Sequence, residues 1–200
     1  MNTLRIVRYV LWAAVAVLVV AVAAVLYFRE SGEAPLVAGG IKGGPFNLID
    51  QHGTPVTEAA LMGHPSAMFF GYTFCPDVCP TTLYDMTMLM QQLGPDADRI
   101  KFYFVTVDPE RDTQQAIAEY LSAFDPRFIG LTGSREEIDR ILSGYRVYAR
   151  KVEQDKGPYL MDHTAAVYLL DEEGALTGTI DYQEPPETAL AKLKRLIESS

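Results

Sequence analysis

Between Ser66 and Leu93 the chain changes its hydrophobic period within a few residues, and that change limits what it can fold into. Ala67 to Tyr72 is an apolar, aromatic-rich run that predicts a short buried strand. Past Pro80, residues Leu83, Met86, Leu89, Met90 and Leu93 recur every three or four positions, the spacing of a helix. The only two cysteines, Cys75 and Cys79, fall on the turn between these elements. Proline suits a first helical turn and disfavours helical geometry in the residue before it, so Cys79 is expected at the helix N-cap and Cys75 in the preceding loop. The positive end of the helix dipole favours thiolate there, so this is a place for reactive or metal-binding sulfur.

Two chemistries suit such a pair. A disulfide needs sulfurs about 2.05 Å apart. Two thiolates sharing one metal in trigonal geometry stand about 4 Å apart, taking the zinc–sulfur length as a guide. The loop can meet either demand. Three residues, Pro76, Asp77 and Val78, separate the cysteines, one more than in thioredoxin-type redox motifs, which favours the metal reading over the oxidoreductase one. A purely structural disulfide is the bland alternative. It would close so short a loop that it restrains little chain entropy, and a domain of this size rarely needs one.

The 200 residues suffice for one domain with a real core, and the N-terminus stands apart from it. Tyr9 to Phe28 is twenty residues without a charge, enough to cross a bilayer core of about 30 Å as a helix. That exceeds the usual signal-peptide core of about 7–15 residues, so an uncleaved anchor is expected. Residues 1–8, with Arg5 and Arg8, form a cytoplasmic tail too short and not amphipathic enough for a mitochondrial presequence. The expected setting is a bacterial inner membrane, crossed once, with the domain in the periplasm. Residues 29–44, rich in glycine, read as a linker, and 45–200 as the folded domain. The Gly-Gly-Ile-Lys-Gly-Gly run lacks the strand, the Lys-Ser/Thr ending and the helix of a phosphate loop. Setting aside the two arginines before the linker leaves 15 basic against 26 acidic residues, a net of −11. Such a balance argues against nucleic acid and suits a basic partner or a cation.

Phe46–Ile49 and Pro55–Thr57 predict a hairpin, with Gly53 in its turn and His52 as a solvated loop residue, as is His64. Beyond Pro65 strands and helices alternate. Strands are expected at 100–107, 128–131, 145–152, 165–170 and 176–181, and helices at 113–124, 135–143 and 187–199. Ser134 and Glu137 form a capping box for the middle helix. This order implies an α/β domain, a central sheet covered on both faces.

His163, in Asp162-His163-Thr164 before the 165–170 strand, is the third ligand candidate, because a soft metal held by two thiolates takes an imidazole readily. Asp162 is placed to orient its ring or to sit behind it. Against this stands a hydrogen-bonded surface histidine some 84 residues from the cysteines. Met86 and Met90 share a helix face and read as core filling, Met88 points elsewhere, and Met161 is a better placed sulfur. Asp108-Pro-Glu-Arg-Asp112 ends a strand and opens a helix, where acids cap the helix and where α/β proteins bind ligands. Residue chemistry alone leaves Cu(I) and zinc both open.

Phe-Gly-Tyr-Thr-Phe-Cys75-Pro-Asp-Val-Cys79-Pro-Thr-Thr-Leu, Val-Asp-Pro-Glu-Arg-Asp112-Thr and Asp-His163-Thr together resemble the SCO/SenC family of copper proteins, from about Pro45 to Ile197. The resemblance implies a thioredoxin-like fold, a central mixed sheet flanked by helices, on one N-terminal transmembrane helix. It implies copper, Cu(I) and also Cu(II), on Cys75, Cys79 and His163. Asp77 would stand behind the ligands, and Asp108 and Asp112 would support the site or meet a partner. The implied role is assembly of the binuclear copper A site of cytochrome c oxidase subunit II, by delivering copper or by keeping the recipient cysteines reduced. In an oxidising compartment the two thiols tend to pair, so loading would depend on a periplasmic thiol–disulfide reductase, and another copper donor is an expected partner. The competing functions are a thiol–disulfide oxidoreductase or thiol peroxidase using Cys75 as nucleophile, and a redox or copper sensor signalling through its anchor.

Overall fold

The structure, a computed structural model, describes Tyr9, residues 11–13, residues 16–18 and residues 40–200. Tyr9 and the two short runs after it are helical. The rest of the expected anchor over 9–28, the tail over 1–8 and linker residues 29–39 lie outside the described residues. No helix among those described is long and apolar enough to cross a membrane.

Among the described residues, seven strands form one mixed sheet in the order β2-β1-β5-β4-β3-β8-β9. They are β1 (Asn47–Asp50), β2 (Pro55–Thr57), β3 (Ser66–Gly71), β4 (Lys101–Thr106), β5 (Phe128–Thr132), β8 (Val167–Leu170) and β9 (Leu176–Ile180). β3, β4 and β5 run parallel, joined through helices α1 (Val78–Leu93) and α2 (Gln114–Leu121). β8 returns antiparallel to β3. Helices α3 (Arg135–Gly144) and α4 (Pro186–Glu198) complete the layers. A separate two-stranded ribbon pairs β6 (Ala149–Val152) with β7 (Leu160–His163).

β3 is buried along its whole length, as its apolar run requires. Its side chains alternate between faces. Phe69 meets Phe104 and the His163 ring, whereas Phe70 meets Tyr145 and Tyr168. Each fully buried phenylalanine contributes roughly 1.5–3 kcal/mol relative to an exposed one. The strand that aims the cysteines is therefore among the most firmly held parts of the chain.

Three boundaries differ from expectation. α1 starts at Val78, so Cys79 lies inside the first turn and not at the N-cap. The alternation from Tyr145 suggested a strand over 145–152, but only Ala149–Val152 is one. α3 closes instead with a Schellman motif: Val147 N–H donates to Leu142 O, Arg146 N–H to Ser143 O, and Arg146 takes φ +56°. An arginine in a position usually taken by glycine left no sign in the sequence. Finally, residues 40–44, expected as the linker's end, lie on the domain. Lys42 bridges to Ala175, Leu176 N–H donates to Ile41 O at 2.8 Å, and the Tyr145 ring occupies the space a Cβ on Gly43 would need.

Candidate metal centre

The cysteines sit at the carboxyl end of β3, beside a parallel neighbour on one side and an antiparallel one on the other. That is where open α/β sheets leave a crevice. Asp77 takes the N-cap position of α1 without a side-chain cap bond. The Cys75 sulfur accepts instead, from the Cys79 amide at 3.3 Å. It thereby satisfies one of the free donors that every helix start presents.

Cys79 is fully buried and Cys75 half-exposed. Room for the Cys79 sulfur comes from Gly71. A Cβ there would lie 3.0 Å from that sulfur and 2.9 Å from the Phe104 ring. His163 ends β7 and places Nε2 3.4 Å from Cys79 Sγ. Its Nδ1 is 2.9 Å from the Thr164 carbonyl, which only accepts, so Nδ1 donates there and Nε2 is the ring atom turned toward the sulfurs. The Tyr72 and Phe69 rings meet the imidazole edge-on.

The two sulfurs differ in protonation. The hydrogen bond from Cys79 lowers the Cys75 thiol to about 4, assisted by His163 and by the amides of Asp77 and Cys79 against the opposing effect of burial. The bond to Cys75, burial and the neighbouring thiolate's charge push the Cys79 thiol up. Tyr72, beside both, is pushed up to about 12, chiefly by burial.

Among the described residues, one Sγ from each cysteine and one nitrogen of His163 lie within 4.8 Å of one another. A trigonal metal with two sulfur ligands and one nitrogen requires spacings of about 4 Å between sulfurs and about 3.8 Å between sulfur and nitrogen. The donors stand close to that arrangement. Two thiolates and an imidazole suit a soft or borderline ion such as Cu(I) or Zn(II). The neighbouring pocket of about 410 Å³ is lined by Tyr72, Cys75, Met161 and His163, with Asp77 and Asp162 also on its wall.

The acids divide. Asp77 and Asp162 are exposed beside the pocket. The ring bond once expected from Asp162 is made by Thr164. Asp108 and Asp112 are buried, which removes them from direct contact with a partner. Asp112 accepts from Thr73 N–H at 3.0 Å, Thr73 Oγ1 at 2.6 Å and Thr106 Oγ1 at 2.6 Å, tying the cysteine loop to β4. Burial nevertheless pushes its carboxyl up. Asp108 binds the Arg111 guanidinium and accepts from Tyr159 Oη at 2.9 Å. Met86 and Met90 are core, Met88 is exposed, and Met161 is half-buried on the pocket wall.

Sequence reasoning missed Gly71, Tyr72, Arg111 and Tyr159. Arg111 joins the two ligand-bearing segments. Its guanidinium lies 4.7 Å from the Phe74 ring centre in the cysteine loop and 3.6 Å from that of Tyr159, and it donates to Tyr159 O at 2.9 Å. Its place within Asp-Pro-Glu-Arg-Asp is visible in the sequence, but nothing there pairs it with Tyr159, 48 positions on.

The SCO1/SenC family model matches residues 37–198. Over 142 residues the chain is 42% identical to the mitochondrial SCO1 homolog 1 of Arabidopsis thaliana, covering 70% of this chain and 42% of that protein. Over 134 residues it is 40% identical to a SCO2-like protein of Rickettsia prowazekii, covering 66% of this chain and 65% of that one. The chain thus spans less than two thirds of the length of these curated relatives. The structure of Bradyrhizobium japonicum ScoI with copper bound is 48% identical, with a TM-score of 0.72, and the match covers 78% of this chain and 99% of that one. Yeast Sco1 with copper bound is 33% identical at a TM-score of 0.72, the match covering 80% of this chain and 90% of that one. The fold shared with these structures is the thioredoxin-like α/β fold with a central mixed sheet.

Proposed function

The chain belongs to the SCO1/SenC family, and from that premise we propose that it binds one copper ion through Cys75, Cys79 and His163 and serves the assembly of cytochrome c oxidase. The observation that carries this reading is the convergence of the three donors from two distant segments onto one point. Copper supplies the cargo. The chain's residues supply a thiolate at Cys75, a thiol at Cys79 that gives up its proton on loading, and an imidazole that turns Nε2 toward them. The recipient in this reading is the copper A site of subunit II. Residues 9–28 anchor the chain in a bacterial inner membrane, with 29–39 as tether and the domain in the periplasm. Their uncharged composition supports the anchor. Asp77 and Asp162 stand behind the ligands, and Asp108 and Asp112 hold the loops that carry them.

A half-exposed thiolate with a protonated, buried partner also favours a second reading, dithiol exchange that reduces the recipient's cysteines. His163→Ala separates the two. Competition with a Cu(I) chelator is expected to show affinity reduced by well over roughly tenfold, while exchange with a small disulfide proceeds near the wild-type rate. Unchanged copper affinity would refute the three-ligand reading, and turnover of peroxide by the reduced, metal-free chain would favour a peroxidase.

A further inference from the structure

A groove of about 460 Å³ runs between α1 and the β9–α4 connection. Met86, Leu89, Val167 and Ile180 form its apolar base, and all four are buried. Tyr84 and Met88, one helical turn apart on α1, line it with exposed apolar surface. Its charged lining residues are Asp85, Asp181 and Glu184, with no lysine, arginine or histidine among them. Lys192 matches Glu184 at 2.7 Å. Asp85 and Asp181 have no salt bridge among the described residues. Asp85 is exposed, yet desolvation by its surroundings pushes its carboxyl up.

The groove is continuous with the metal pocket. Ala165 lines both, and Val78 on the pocket wall is one turn of α1 from Thr82 in the groove. Within residues 40–200 the exposed large apolar side chains are Met62, Phe74, Tyr84, Met88 and Tyr148. Phe74 adjoins Cys75, and Tyr148 exchanges hydrogen bonds with Thr164 at 3.0 and 3.1 Å. All but Met62 therefore lie in the groove, in the cysteine loop or, for Tyr148, against the residue that follows His163. Apolar surface gathered in this way marks an interaction site.

We propose that this groove docks the protein that exchanges copper or electrons with the Cys75–Cys79–His163 site, and that it takes a cationic peptide segment bearing a large apolar side chain. Only the identity of what is exchanged rests on the function proposed above. The charge decides the occupant. An excess of acid disfavours a second copy of this chain, a nucleic acid or an anionic membrane, and complements lysine or arginine.

The test uses the reduced full chain with labelled methionine methyls, Met86 and Met88 serving as reporters. The probes are the blocked peptides Lys-Phe-Lys-Leu-Lys, Glu-Phe-Glu-Leu-Glu and Lys-Gly-Lys-Gly-Lys. The first is expected to give a saturable shift of the Met88 resonance that weakens roughly tenfold in Asp85→Lys/Asp181→Lys and as salt is raised. Cu(I) titration of the same variant is expected to match wild type. The proposal is overturned if the glutamate or glycine peptide binds as well, if the double variant binds the first peptide unchanged, or if no peptide moves Met88. If the peptide binds but wild-type protein ignores Cu(I), the copper reading fails and the groove stands.

Discussion

Cys75 and Cys79 are chemically identical side chains held in opposite protonation states, and position alone makes the difference. Cys75 receives an amide and a thiol at the open start of a helix, whereas Cys79 is enclosed above Gly71. The lowered Cys75 keeps its thiolate above about pH 4 and loses it as pH falls through that value. Alkylation of the reduced, metal-free protein with iodoacetamide should therefore label Cys75 first. Its rate should stay nearly flat from about pH 6 to 8, where an ordinary thiol with a pKa of about 8.5 gains close to tenfold per pH unit. A rate that climbs with pH would contradict the assignment. Gly71→Ala forces the Cys79 sulfur or the Phe104 ring aside. Overpacking of this kind costs roughly 1–3 kcal/mol, and a lowered Tm together with weakened Cu(I) binding is the expected result. The sequence displayed the sulfurs and the imidazole. It concealed Gly71 and Tyr72, because a glycine and a tyrosine ending an apolar strand look like ordinary strand composition.

At the level of elements, the site is a junction between β3–α1, fixed by the buried sheet, and the β6–β7 ribbon, which lies outside that sheet. The ribbon is tied down through Arg111, Tyr159 and Asp108. Arg111→Met removes the ion pair and the bond to Tyr159 O while keeping much of the stacked bulk. It should speed amide hydrogen exchange across Lys151–Val152 and Leu160–His163 and lower Cu(I) affinity by about 10–100-fold, with Cys75 alkylation little changed. Unaltered exchange in the ribbon would remove Arg111 from this role. The central elements were legible because their periodicity is strong, and the Ser134 hydroxyl accepts from Glu137 N–H as the pattern indicated, while the Glu137 carboxylate accepts from Asn47 N–H and not from Ser134. Of the ribbon, β6 lay within an expected strand but β7 did not show. These strands are short and half-exposed, and they pair residues eight to fourteen positions apart.

For the molecule as a whole, an acidic domain presents a pocket bearing the Cys75 sulfur beside an acidic, partly apolar groove, with a long uncharged stretch at its N-terminal side in sequence. Transfer to a basic partner should accordingly slow as ionic strength rises, whereas copper binding to the isolated chain should be almost indifferent to salt. Stopped-flow transfer measured over a salt series checks this, and equal salt sensitivity of both steps would count against electrostatic docking. Copper binding of the proposed kind requires the three donors to close around a single ion. X-ray absorption on the reduced chain loaded with one equivalent of Cu(I) tests that directly. Two sulfurs near about 2.3 Å and one imidazole nitrogen near about 2.0 Å are predicted, using zinc lengths as a guide, with the nitrogen lost in His163→Ala. A shell of sulfur alone in the wild-type protein, or one that His163→Ala leaves intact, would contradict it.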